Sequence, residues 1–214
     1  MSTLFHHPAA PLLRRSIHRL GRSMLRAGYR FRVRGVENVP RGPALLLSNH
    51  VGFIDFWLVA AAMPETPRFV MHEAHFETPG FASFFELHGV IPIATRREDP
   101  RRLVRAVREV ERALGDGQQV MLFPEGTMTP DGELSPIRPG FRRILRRQPV
   151  PVVPIALRGV WGSWFSRRGG PPMKKRPRRF RAPVEVVFGP PLEPGALDEA
   201  TLAAKLLGLR GERR

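Results

Sequence analysis

The order of elements along this chain predicts an α/β fold: one domain with a largely parallel or mixed sheet flanked by helices, preceded by a basic amphipathic helix. Three observations carry this. Short apolar runs alternate with segments of helical period. Three polar clusters follow directly after apolar runs, where site residues collect in open α/β sheets. No repeat or long linker divides the 214 residues, which suffice for one substantial core.

Residues 11–27 place Leu13, Ile17, Leu20 and Met24 on one helix face, with arginines over most of the rest. Such a helix either lies on a membrane surface or packs on its own domain with a solvated basic back. Residues 29–34 alternate apolar and charged side chains, as a half-buried strand does. A turn region at 35–42 leads to a buried strand at 43–47, and a helix is expected from about 53 to 63. Residues 68–71 read as a strand, 81–87 as a short helix and 90–94 as a strand. Pro92 favours an edge position for the last of these, because it offers no ladder N–H. The clearest helix spans 99–114, with Leu103, Val104, Val107, Val110 and Leu114 as its stripe. Asp99-Pro100 is its start and Gly115 its stop. Strands are expected at 119–123, 150–157 and 183–188, helices at 141–147 and 197–209, and a long basic loop at 159–181.

Composition narrows the function. Apolar residues make up 42% and charged residues 25%, which is globular rather than disordered. The absence of cysteine excludes a disulfide scaffold, a cysteine nucleophile and a thiolate-bound metal. The formal net charge is +16, and its placement matters more than its size. No acid precedes Glu37, yet eight arginines lie between Arg14 and Arg34; none lies between Arg138 and Arg181, a span with fourteen Lys and Arg. Charge so confined fits contact with a polyanion: anionic lipid, nucleic acid or a phosphorylated substrate. The opening residues lack the pattern of a signal peptide, and no window reaches about 18 uninterrupted apolar residues, so surface attachment rather than spanning is expected.

The stretch from Leu45 to Trp57 sets His50 and Asp55 among apolar residues. If His50 stands in the turn and Asp55 in the next helix, the carboxylate can fix one ring nitrogen and leave the other as a base. The plain alternative is a capped helix start, with Ser48 or Asn49 as the cap and Gly52 easing the turn. No G-x-S-x-G elbow supplies a serine nucleophile, so the base suits attack by the substrate's own hydroxyl. A second cluster, Phe123-Pro124-Glu125-Gly126-Thr127, offers a carboxylate for polyol hydroxyls, a close backbone approach and a hydroxyl. A third, Thr95-Arg96-Arg97, offers guanidinium groups for a phosphate. His72-Glu73-Ala74-His75 lacks the spacing of the H-E-x-x-H zinc motif, and no metal site is expected. Met63, Met71 and Met121 read as core.

Asn49-His50-x4-Asp55, Gly89-Val90-Ile91-Pro92-Ile93, Phe123-Pro124-Glu125-Gly126-Thr127 and Val152-Val153-Pro154-Ile155 occur in that order. Together they resemble the four sequence blocks of the glycerolipid acyltransferase family, which includes 1-acyl-glycerol-3-phosphate acyltransferases. The match covers about 29–190. The run from Pro151 to Arg181, with Trp161, Trp164 and Phe165, resembles the acyltransferase module that some bacteria fuse to a lipid-flipping transporter and an acyl-carrier-protein ligase. The resemblance implies an acyltransferase domain at 29–214 behind a membrane-surface helix at 1–28. It implies His50 as the base and Asp55 as its partner. Asn49, Arg96, Arg97, Glu125, Gly126, Thr127 and Arg138 are the substrate-binding candidates, and Pro154 belongs to a block that shapes the acyl-donor region. The implied acceptor is a lysophospholipid, and the implied donor is acyl-CoA or acyl-carrier protein (acyl-ACP), with no other cofactor. The expected location is peripheral, on the cytoplasmic face of an anionic membrane, with Trp161, Trp164 and Phe165 either at the interface or packed into the core. The family's second block carries an arginine six residues after its glycine; here that position is Thr95, so either Arg96 or Arg97 fills the role through a shifted loop, or phosphate monoester recognition is weaker and a diester or zwitterionic lysophospholipid fits as acceptor. A nucleic-acid-binding module is the rival reading, but it leaves the His50/Asp55 pair and the Glu125 turn without a role.

Overall fold

The computed structural model describes residues 10–77, 85, 88–176 and 181–212. Apart from Phe85, the helix expected at 81–87 lies outside them, as do Arg178, Arg179 and the side chains of Leu13 and Ile17. Among the described residues the strands are β1 (Tyr29–Arg34), β2 (Ala44–Ser48), β3 (Arg68–His72), β4 (Ile91–Ile93), β5 (Gln119–Leu122), β6 (Val152–Arg158) and β7 (Ala182–Phe188). They form one seven-stranded sheet in the order β1-β7-β6-β2-β5-β3-β4. Neighbours are parallel except β6 and β7, so the sheet is mixed, as the alternation of elements implies. The helices are α1 (Ala10–Gly28), α2 (Asp55–Ala62), α3 (Pro100–Gly115), α4 (Gly140–Arg147) and α5 (Glu199–Arg210).

Side chains alternate along each strand, and this sorts the core into two layers. Leu46 joins the layer under α1 and α2, with Met121, Val153 and Ile155. Leu45 and Leu47 join the opposite layer, under α3, α4 and α5. Helix α2 is buried on nearly all sides, which its sequence DFWLVAAA permits because only its first residue is polar. Asp99 caps α3 by accepting from the Arg102 amide at 2.8 Å, with Pro100 in the first turn. The edge place expected for Pro92 is observed in β4. Pro154 sits in the buried β6, paired with Leu47, and its carbonyl accepts from Gly189 at 2.8 Å.

The packing of α1 differs from its sequence stripe. Leu25 is buried and Gly21 lies on Trp57 of α2, so close that a Cβ would stand 2.6 Å from the indole. Leu20 and Met24 instead face outward, at 64% and 67% exposure. The helix therefore docks through Gly21 and Leu25 and leaves the described part of its apolar stripe uncovered. No helix among the described residues is long and apolar enough to cross a membrane.

Two sequence expectations about charge and aromatics need correction. Some of the early arginines serve the fold. Arg34 and Arg158 both pair with Glu185, at 2.6 and 2.9 Å, a buried carboxylate that needs such partners. Arg30 donates to the Arg181 carbonyl at 3.1 Å. The tryptophans of the basic loop do not form an exposed aromatic belt. Trp161 is buried against Gly132, and the half-buried Trp164 spends its indole N–H on the Lys175 carbonyl at 2.7 Å. An indole placed on its own domain in this way gains more by packing there than in water.

Candidate active site

The carboxyl ends of β2 and β5 are neighbours, and they bring the first two polar clusters together. His50 stands in the turn after β2, and Asp55 is the first residue of α2. The Asp55 carboxylate is fully buried and reaches back over the turn. Its Oδ2 accepts from the amides of Val51 at 2.6 Å and Gly52 at 2.9 Å, and lies 2.9 Å from His50 Nδ1. A carboxylate only accepts, so Nδ1 carries the hydrogen and Nε2 holds the free lone pair. The His50 side chain keeps 22% of its surface exposed. Phe123 stacks flat on the ring, centroids 4.1 Å apart at 15°, and fixes its plane. Among the described residues no serine or threonine hydroxyl is bonded to Nε2. The arrangement is an oriented, partly open base with no protein nucleophile in front of it.

Asn49 is not the helix cap or the ligand contact expected of it. Its amide faces the Leu157 peptide, donating to the carbonyl at 3.1 Å and accepting from the amide at 2.7 Å. It thus continues the β2–β6 pairing past the end of the strand, and at 4% exposure it is out of a ligand's reach. The residue at the capping position before α2, Ile54, offers no side-chain cap either. Gly52 is needed for space rather than for a special backbone angle: a Cβ would meet Val160 at 3.0 Å and the Phe165 carbonyl at 3.1 Å. The Phe53 amide donates to that carbonyl at 2.9 Å, so the basic loop buttresses the histidine turn.

Glu125 is also misassigned by sequence as a contact for polyol hydroxyls. It is 2% exposed, and both oxygens are occupied. One accepts from the His50 amide and the other from the Ser135 amide, each at 2.6 Å. Burial pushes its pKa up, against the downward pull of those two amides. Thr129 completes the clamp by donating its amide to the His50 carbonyl at 2.8 Å. Thr129 had no visible signal in the sequence, since its contribution is a backbone amide, and Ser135 adds its side chain to its amide at Glu125 from ten residues away.

The exposed part of this turn is Gly126 and Thr127. Gly126 has a φ of +70°, in the region glycine favours. The Arg138 side chain lies over it.

The third cluster is placed elsewhere. Thr95 and Glu98 close a turn after β4, in which the Glu98 carboxylate accepts from the Thr95 amide at 2.9 Å and lies 2.9 Å from His72 Nε2. The bond to His72, with those from Thr95, holds the Glu98 pKa at about 2. Arg96 and Arg97 project from this turn into solvent. The strand before them stands three positions from β2 in the sheet, roughly 14 Å at ordinary strand spacing. His75, by contrast, comes close enough to His50 to feel its charge. It packs edge-on against Phe53, centroids 5.3 Å apart, and burial lowers its pKa with help from His72 and His50. Among the described residues no group of three His, Asp or Glu side chains is arranged to hold a metal ion.

Phe56 and Trp57, next to Asp55, line a narrow cleft, little larger than a water molecule, with Ala60, Thr66, Phe69, His88 and Val90. The oil around the histidine motif thus serves both core and cleft.

Known proteins share this arrangement of sequence and fold. A family model described as Acyltransferase matches residues 30–158. The chain is 32% identical over 134 residues to "1-acyl-sn-glycerol-3-phosphate acyltransferase BAT2, chloroplastic" of Brassica napus, a match over 62% of this chain and 38% of that one. It is 27% identical over 165 residues to the 1-acyl-sn-glycerol-3-phosphate acyltransferase of Pseudomonas aeruginosa, over 77% of this chain and 60% of the relative. The chain therefore spans less than two thirds of the length of these relatives. The crystal structure of the 1-acyl-sn-glycerophosphate (LPA) acyltransferase PlsC from Thermotoga maritima superposes with a TM-score of 0.73 at 23% identity, over 94% of this chain and 77% of that one. The fold is shared with PlsC, and the matched span holds His50, Asp55 and Glu125 within more than half of the chain: this protein belongs to the acyltransferase family.

Proposed function

We propose that the protein is an O-acyltransferase that moves a fatty acyl group from acyl-CoA or acyl-ACP to the free hydroxyl of a lysophospholipid, 1-acyl-glycerol-3-phosphate or a close relative. The observation that carries this is the open Nε2 of a histidine whose Nδ1 is held by Asp55 at 2.9 Å. Nε2 removes the proton of the acceptor hydroxyl as its oxygen attacks the thioester carbonyl. The C–O bond forms, the C–S bond breaks, and the thiolate leaves with the proton returned by the imidazolium. Asp55 balances the positive charge that His50 carries between those two proton transfers. Its second oxygen, buried and without a donor among the described residues, keeps that compensating charge undiluted. Direct transfer of this kind uses only the two substrates.

The uncovered Leu20 and Met24 of α1 suit shallow burial in a bilayer. Arginines on the same helix add attraction to anionic headgroups. These features support a peripheral position at the cytoplasmic face of the membrane that carries the acceptor. The test is an activity panel crossing lysophosphatidate, lysophosphatidylethanolamine and monoacylglycerol with acyl-CoA and acyl-ACP. Transfer to at least one lysophospholipid is expected, and free fatty acid without acylated product would overturn the reading.

A further inference from the structure

We infer that Arg210, the last residue of α5, is a positioning residue for acyl transfer: its guanidinium sets the segment 129–135 that clamps the His50 turn. This role rests on the acyl-transfer reading above and goes beyond it. Arg210 makes no bond to His50, and it lies outside residues 30–158, the span matched by the family model. A route of hydrogen bonds nevertheless joins the two residues. Arg210 Nη1 donates to the Gly132 carbonyl at 3.2 Å, and Nη2 donates to the Glu133 carboxylate at 2.8 Å. The Gly132 amide donates to Thr129 Oγ1 at 3.0 Å, and the Thr129 amide donates to the His50 carbonyl at 2.8 Å. Just beyond Glu133, the Ser135 amide donates to one oxygen of Glu125, whose other oxygen accepts from the His50 amide, each at 2.6 Å. The amide and the carbonyl of His50 are thus both fixed by way of a segment whose middle Arg210 pins.

A second route reaches the same helix end from the other side of the turn. Asn49, next to His50, bonds the amide and the carbonyl of Leu157 through its side chain, at 2.7 and 3.1 Å. The following residue, Arg158, donates Nε to the Leu209 carbonyl at 2.7 Å, and its Nη2 donates to the same oxygen. Leu209 directly precedes Arg210. The two routes therefore close a ring that runs from Asn49 and His50 through the last turn of α5 and back.

Stability alone is a poor reason for an arginine here. Arg210 is 9% exposed, and its Nε has no acceptor among the described residues. Burying a guanidinium can cost more than its pairing returns, and apolar residues of similar volume often hold a fold as well. An apolar residue could not bond the Gly132 carbonyl and the Glu133 carboxylate, whereas the planar fork fixes both at once. The segment is backed from another direction too: a Cβ on Gly132 would stand 2.8 Å from the Trp161 indole, and its φ is +92°. Indole and fork together hold the segment where Thr129 and Ser135 meet the histidine clamp.

The experiment compares wild type with Arg210→Gln, Arg210→Lys and Asp198→Ala. Asp198 caps the opposite end of α5 by accepting from the Thr201 amide at 2.7 Å, so its loss loosens the same helix and leaves the segment 129–135 alone. Melting temperature, kcat and KM are measured for the best acceptor and donor of the activity panel, below the melt of every variant. For Arg210→Gln the kcat is expected to fall about 10- to 100-fold, the scale of a small misplacement within a site, with KM values held within a few-fold. Arg210→Lys reaches one acceptor rather than two and is expected to fall between. Asp198→Ala is expected to melt earlier and to keep the wild-type kcat. A wild-type kcat in Arg210→Gln, or an equal fall in Asp198→Ala, would overturn the role. If Arg210→Gln does not fold, Arg210→Lys decides by the same two outcomes. Thr129→Val removes the acceptor of the Gly132 amide and tests the route. A fall in the double variant smaller than the product of the single falls supports it, and the full product overturns it. If wild type acylates no lysolipid, the acyl-transfer reading falls alone, and NMR of the His50 ring nitrogens without substrate still tests Arg210. Resonances moved by Arg210→Gln and not by Asp198→Ala support the role, and unmoved resonances end it.

Discussion

The Asp55 carboxylate holds His50 Nδ1 and the amides of Val51 and Gly52 on a single oxygen, so one atom shapes the turn and orients the base. The two functions separate by substitution. Asp55→Asn keeps an acceptor for all three donors but removes the charge that balances imidazolium. Its kcat is expected to fall about 10²-fold or more, with little loss of stability. Asp55→Ala also strands the buried amides, at an added cost of about 1–3 kcal/mol. Steady-state kinetics and urea denaturation on both variants check this. Wild-type kcat in Asp55→Asn would remove the charge from the mechanism.

Glu125 is a clamp, and its variants should behave as a clamp's do. In Glu125→Ala the His50 and Ser135 amides lose their acceptor, partly offset by relief of the buried charge. A net loss of about 1–3 kcal/mol is expected, or a Tm lower by about 2–12 °C at about 2–4 °C per kcal/mol. The kcat should fall because the histidine turn loosens, with no selective change in acceptor KM. A raised acceptor KM at unchanged Tm and kcat would return Glu125 to the role of substrate contact.

Much of this was legible before any coordinates. Periodicity locates the strands because the side chains of Leu45, Leu46 and Leu47 meet two separate core layers. Asp99-Pro100 marks the start of α3 because capping is local chemistry. His50 and Asp55 were legible as a pair because only one turn lies between them. What stayed hidden depends on partners far away in the chain. Asn49 looks like a ligand contact until Leu157, 108 residues on, takes its amide. Glu125 looks free until Ser135 and His50 fill it, and Trp161 looks interfacial until Gly132 covers it. Arg96 and Arg97 stand at the end of β4, three strands from β2, a matter of sheet order that no local pattern encodes.

The turn at Thr95–Glu98 offers a test by titration. The Glu98 carboxyl has its pKa lowered from 4.5 to about 2, first by the hydrogen bond with His72. A depressed folded value means that its contribution is fully present above pH 4.5 and is lost as pH falls through about 2. The carboxyl carbon shift of Glu98 in an NMR titration is expected to turn over near pH 2, and in His72→Ala to move back toward 4.5. A midpoint near 4.5 in the wild type would show that the His72 bond does not form.

The outward stripe of α1 makes a prediction about membranes. Burying a Leu or Met side chain is worth about 1.5–3 kcal/mol, so Leu20→Glu or Met24→Glu should weaken vesicle binding about tenfold or more. The assay is flotation with vesicles containing anionic lipid, at fixed salt because arginine contacts are screened. Leu25→Glu serves as contrast, since that side chain is buried and should cost folding. Undiminished flotation of the Leu20 and Met24 variants would take α1 out of membrane attachment.

Catalysis by His50 is decided by the rate of acyl transfer from a thioester to a lysophospholipid in His50→Ala, alongside a thermal melt. His50 is partly exposed, its ring touches Phe123 and the Asp55 carboxylate, and Asp55 keeps the Val51 and Gly52 amides without it, so the fold is expected to persist. The rate is expected to fall about 10²- to 10⁴-fold with substrate KM values little changed. Transfer within a few-fold of wild type, by a variant that melts normally, would contradict a mechanism in which His50 Nε2 takes the proton.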